Sequence, residues 1–128
     1  MNIFGKEMKG FIIELAGETI NVILAKGQYT KDGSLAIRAY SVDTMHGKTF
    51  LEPFGTLTVN TGLETVGNCQ FVKTWSENEG WAGQIADRVG EDTGIYAESD
   101  YAIVHLYRFR QDALDTMADI TAVEEMRA

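Results

Sequence analysis

The chain has 128 residues, 45% of them hydrophobic and 23% charged, which suits one soluble domain, 1–128, with a core of its own. A lone cysteine, Cys69, excludes an internal disulfide, and no apolar run reaches the ~18–20 residues of a membrane helix. The net charge of −8 argues against a basic nucleic-acid groove.

The N-terminal residues MNIFGKEMKGFIIEL have no long apolar core and no small-residue cleavage site, so a cytoplasmic protein is expected. Lys9-Gly10 precedes FIIEL, and Ala16-Gly17 separates it from TINVILA. The pair reads as a hairpin, and the alternation over 19–24 suits a strand with one buried face. Lys31-Asp32-Gly33-Ser34 signals a turn before a strand over 35–42. In that strand Leu35, Ile37, Ala39 and Ser41 face one way, and Ala36, Arg38, Tyr40 and Val42 the other. Asp43 to Glu52 is polar and reads as a loop. Alternation resumes over 54–60, and 69–73 is a further short strand. The first 74 residues therefore predict an antiparallel meander.

Ser76 and Glu79 have capping-box spacing, and Glu77 adds charge where a helix N-terminus favours it. Trp81, Ala82, Ile85, Ala86 and Val89 recur at helical spacing, so a helix is expected near 77–89 with Gly90 as its C′ residue. Tyr101 to Phe109 reads as a central strand. A last helix is expected near 112–126, with Leu114, Met117, Ala118 and Thr121 toward the sheet. Asp112, Asp115 and Asp119 then form one outer stripe. The fold class is α+β: an antiparallel sheet of about five to six strands with two helices.

No catalytic, cofactor or metal site emerges. Gly47-Lys-Thr49 matches the end of a P-loop, but Val42 stands where the first glycine belongs and no helix pattern follows. Asp92-Thr-Gly94 matches the aspartic-protease triplet, yet three residues after a helix end are ordinary turn chemistry. His46, His105 and Cys69 lack ligand spacing. Cys69 reads as a small, partly buried thiol, and His105 as a satisfied histidine within its strand. Glu77, Glu79, Glu91, Asp92, Glu98 and Asp100 read as a diffuse acidic rim.

Charge placement points elsewhere. Residues 1–74 carry seven acids and seven bases, whereas residues 75–128 carry twelve acids and four bases, so the whole imbalance lies in the C-terminal part. Such a field attracts basic partners. Trp75, at the helix entrance beside acidic residues, is an anchor candidate. The expected partner-binding residues are Trp75, Glu77, Glu79, Asp112, Asp115, Asp119, Glu124 and Glu125.

FVKTWSENEG, preceded by PFGTLTVN and followed by Thr93-Gly94 and LYRF (106–109), resembles a small family of uncharacterised proteins carried by conjugative and other mobile elements of gut bacteria. The likeness covers roughly residues 10–118. It implies a compact α+β domain with a role in mobile-element biology and assigns no catalytic residues. The acid-rich tail DTMADITAVEEMRA departs from the family pattern. The expectation is a non-enzymatic accessory protein of a mobile element or phage. It binds a host or element-encoded protein with a basic surface, and in the sharp form it is an anti-CRISPR or anti-restriction inhibitor that mimics nucleic-acid charge. It uses no cofactor, touches neither nucleic acid nor membrane, and is a monomer or homodimer. The alternatives are an assembly subunit of conjugation machinery, dimeric through a strand edge, and a small metal-dependent hydrolase.

Overall fold

The computed structural model describes residues 2–3, 5–99 and 102–127. It opens with a small hairpin of β1 (Asn2–Ile3) and β2 (Lys6–Glu7). The meander follows as expected: β3 (Gly10–Leu15), β4 (Glu18–Gln28), β5 (Leu35–Met45) and β6 (Lys48–Thr56), each antiparallel to the next. Ala16 and Gly17 both take positive φ, 52° and 82°, the backbone that a two-residue hairpin turn demands. The expected loop over 43–52 is instead the tip of a long hairpin. His46 and Gly47 make its turn with φ of 54° and 74°, and its strand ends face solvent, so no apolar alternation marks them.

Residues 58–109 build a second sheet from β7 (Thr58–Val59), β8 (Cys69–Val72), β9 (Gly90–Ser99) and β10 (Ala102–Phe109), in the order β7-β8-β10-β9. The strand expected over 54–60 is therefore shared: Phe54 to Thr56 end β6, and the chain crosses at Leu57 into β7. Leu57 N–H donates to the Ile37 carbonyl, and the Thr58 hydroxyl accepts from Ile37 N–H. β10 lies between β8 and β9, the central place expected for it. In all, the described residues hold eleven short and long strands, about twice the number expected. The surplus comes from the split strand and from pieces too short or too polar to show a period.

Two cores lie on opposite faces of the first sheet. Phe11, Ile13, Val22, Leu24, Ile37 and Ala39 point into the larger one. It is closed by Leu57, Val72, Tyr107 and Phe109 of the second sheet and by Trp81 with α1 (Ala82–Val89). Ile23, Ala25, Tyr40 and Leu51 point the other way, against Ile3, Met8, Ala118 and Val123. Val22 to Ala25 are therefore buried in succession, which corrects the expectation of one buried face. The second face is covered by chain ends whose apolar content is too sparse to reveal a packing partner.

This two-sided design also explains the C-terminal segment. The expected single helix over 112–126 is broken into α2 (Gln111–Asp115), the short strand β11 (Ala118–Asp119) and α3 (Ile120–Arg127). Leu114 and Met117 enter the larger core, whereas Ala118 and Val123 enter the smaller. A straight helix presents one stripe and cannot serve both faces of a sheet. The chain instead rounds the sheet edge, with β11 pairing parallel to β4 through Ala118–Ala25 and Asp119–Lys26. Thr121, expected toward the sheet, is exposed.

Candidate interaction surface

The segment from Lys73 to Trp81 does not use the expected capping box. α1 begins at Ala82, and the residues before it form one 3-10 turn, Ser76–Asn78. Ser76 takes φ of 58°, and its carbonyl, not its hydroxyl, accepts from Glu79 N–H at 3.0 Å. The buried Asn78 side chain does the fastening. Its Nδ2 donates to the carbonyls of Thr56 at 2.7 Å and Lys73 at 3.0 Å, tying both sheets to the turn. Trp81 is buried as expected, with its indole N–H donating to the Glu77 carbonyl and its ring edge-on to Phe54 at 5.1 Å. A β carbon on Gly55 would lie 2.6 Å from that ring, so the sheet admits Trp81 only where a side chain is missing. Phe54 reaches it from a bulge in the edge strand β6: Ala39 pairs Gly55, and Tyr40 pairs Pro53.

Several expected binding residues have structural duties here. Trp75 is half-buried, and Lys73 Nζ lies 5.6 Å from its ring centroid. The same Nζ bonds Glu77 at 2.6 Å, which holds the Glu77 carboxyl down to about 2. Glu79 is exposed.

At the C-terminus, Asp112, Asp115 and Asp119 are exposed but do not share one helical stripe, because Asp119 belongs to β11. Asp112 accepts from Ala113 N–H, and Asp115 from the Gln111 amide. Asp119 lines a depression of about 550 Å³ with Lys26, Gly27, Gln28, Leu35, Ile120 and Thr121. Glu124 is an anchor rather than a free charge: it bonds Arg38 at 3.0 Å, the Tyr40 hydroxyl at 3.1 Å and Arg127 at 2.7 Å. Arg127 above all holds the Glu124 carboxyl below its ordinary range. Glu125 stays exposed.

The surface not foreseen as strand is β9. Gly90 ends α1 in an extended conformation, not the expected left-handed C′ turn. A β carbon there would meet the Arg108 carbonyl oxygen at 2.8 Å, so glycine lets helix pass directly into strand. Thr93, Gly94 and Ile95 then stand opposite Leu106 alone. Asp-Thr-Gly shapes this bulge: Asp92 accepts from Gly94 N–H at 2.9 Å, and the Thr93 hydroxyl donates to the Leu106 carbonyl at 2.7 Å. His105 Nδ1 lies 2.7 Å from Asp92 Oδ2, a bond that lowers the Asp92 pKa, and its ring packs on Tyr96 at 4.3 Å. The Tyr107 hydroxyl donates to Asp87 at 2.7 Å, and burial with that bond raises the Tyr107 pKa. These pairs orient side chains. No group of three or more His, Cys, Asp or Glu side chains placed to hold a metal ion occurs among the described residues.

Glu79, Asp87, Glu91, Asp92, Glu98, Asp112, Asp115, Asp119 and Glu125 all reach solvent. Of the four arginines in residues 75–128, three are held at the surface by hydrogen bonds to backbone carbonyls. Arg88 donates to the Ile12 carbonyl, Arg110 to the Arg88 carbonyl, and Arg127 to the Leu51 carbonyl and to Glu124. Arg110 also lies 3.4 Å from Asp112, and Arg108 pairs across the strand with Glu91, so the negative excess of this surface is one of number, twelve acids to four bases.

No helix among the described residues is long and apolar enough to cross a membrane. Against known families, residues 23–127 match the one described as Domain of unknown function (DUF4313). No curated protein and no solved structure matches the chain.

Proposed function

From the premise that the chain belongs to the DUF4313 family, we propose that it is a non-enzymatic, cytoplasmic accessory protein of a bacterial mobile element or phage that binds a protein with a basic surface. The observation that carries the binding reading is the acidic surface of residues 75–128, where twelve acids stand against four arginines and most of the carboxylates are exposed. A negative excess of this kind raises encounter rates with basic partners and selects against acidic ones. The mobile-element setting rests on the sequence resemblance, and with it the sharper form, an inhibitor of a nucleic-acid-binding defence complex.

The test is capture by the tagged full chain from lysates containing restriction or CRISPR complexes, at low and high salt, with the captured protein identified by mass. A nucleic-acid-binding protein held at low salt, lost at high salt and lost with Glu79→Gln/Glu98→Gln/Asp115→Asn/Asp119→Asn supports the reading. Capture indifferent to both salt and neutralisation refutes it. A conjugation component retained at high salt moves the protein to the assembly role.

A further inference from the structure

The sheet edges are treated unequally. β3 has its outer carbonyls covered by α1: Arg88 donates to Ile12 and Gln84 to Glu14. β6 carries Pro53 and a bulge, and Arg127 caps its Leu51 carbonyl. β7 is tied to β5 through Leu57 and Thr58. β9 is the last strand of its sheet, and past the bulge its regular stretch Tyr96–Ser99 pairs on one side with Ala102–His105. No side chain among the described residues bonds the other side of that stretch.

The same hairpin gathers exposed apolar surface. Ile95 and Tyr96 are each 57% exposed and Ile103 62%. Pairing of Tyr96 with His105 and of Glu98 with Ile103 puts these four side chains on one face. Asp92 joins it through His105. An aromatic ring and an aliphatic chain flanked by two carboxylates suit an extended segment whose apolar and basic residues alternate.

We propose that the outer edge of β9 over Tyr96–Ser99 takes up an extended basic segment of the partner protein as an added strand. This rests on the acidic-surface reading and assigns that surface its point of engagement. Main-chain hydrogen bonds supply attachment, and Glu98 and Asp92 select lysine or arginine on the Tyr96 face. A second copy fits poorly, because β9 carries Glu91, Asp92 and Glu98 and no basic residue, so its own strand offers no charge complement.

The experiment titrates the 15N-labelled full chain with a peptide of about eight residues alternating lysine and valine. Its comparators are the same peptide N-methylated along its whole backbone and a glutamate–valine counterpart. The expected result is amide shifts concentrated on 95–99 and 103, with the N-methylated and acidic peptides at least about tenfold weaker. Glu98→Lys, checked for native circular dichroism, weakens the lysine peptide by about tenfold. Equal binding of the N-methylated peptide, or shifts centred on 112–119, overturns the edge site while leaving the acidic-surface reading standing. No binding of the lysine peptide at low salt overturns both. Shifts at 96–99 on concentrating the chain alone assign the edge to a second copy and overturn the proposal.

Discussion

Asn78 shows how one residue decides local structure. The sequence places it inside an apparent helix start, where asparagine has no special task, and nothing in its spacing tells that its amide will bridge Thr56 and Lys73. Losing that amide strands two carbonyls between the sheets, each worth about 1–3 kcal/mol when left unpaired. Asn78→Ala should therefore cost about 2–4 kcal/mol in urea unfolding followed by tryptophan fluorescence. Asn78→Asp keeps the shape but removes the donor, and should cost no less. A change below about 0.5 kcal/mol in both would show that the turn holds without the amide. Glu77, one residue earlier, makes a pH statement. Its carboxyl lies at about 2 in the fold against an ordinary 4.5, chiefly through its bond with Lys73. A depressed carboxylate stabilises above its unfolded value, and that contribution is lost as pH falls from about 4.5 to about 2. Glu77→Gln should lower stability slightly at neutral pH, with the variant and parent curves converging at the acid end. Parallel curves down to the acid end would place the bond outside the folded state's energetics.

The elements most legible in the sequence are apolar runs bounded by clear turn signals and the one helix with a single apolar face. The hairpin at 10–24, the strand at 35–42 and the apolar face Trp81–Val89 all stand where the pattern put them. β9 and the C-terminal segment carry no such signal. β9 is written GEDTGIYAES, turn chemistry by composition, because its outer edge is in solvent and its bulge needs Gly94 at φ of 80°. The C-terminal segment carries good helix formers throughout, so nothing local announces that Met117 and Ala118 enter opposite cores. Of the expected binding residues, Glu79, Asp112, Asp115, Asp119 and Glu125 are exposed, Glu77 is exposed but pairs with Lys73 four residues earlier, and Glu124 is drawn to Arg38, a pair that only the fold brings together. The α3 element makes a prediction of its own. Val123 is fully buried in the smaller core, so Val123→Ala should cost about 2 kcal/mol through lost burial and a residual cavity. Hydrogen exchange should then rise first in α3 and β11, leaving α1 protected. Uniform acceleration across α1 and α3 would mean that the two cores unfold as one unit.

At the scale of the molecule, stability and binding should pull against each other. All of the −8 lies in residues 75–128, where twelve acids outnumber four bases and the exposed carboxylates repel one another. Self-repulsion destabilises a compact state and is screened over ~8 Å at physiological salt. The melting temperature should therefore rise with added salt. Glu79 and Glu98 are exposed, and Glu98 sits across from Ile103 rather than a base, so the pair tests the idea cleanly. Glu79→Gln/Glu98→Gln should leave the melting temperature unchanged or raise it by up to about 3 °C, and should flatten its salt dependence. The same variant should lose affinity for a basic partner. A charge kept only for solubility predicts the first effect without the second, since neutralising it costs no contact. A charge kept for the fold predicts a lower melting temperature. Only a surface held in an unfavourable state for the sake of a partner predicts both a protein at least as stable and a weaker complex. Thermal melts and peptide titrations of that one double variant, at two salt concentrations, separate the three.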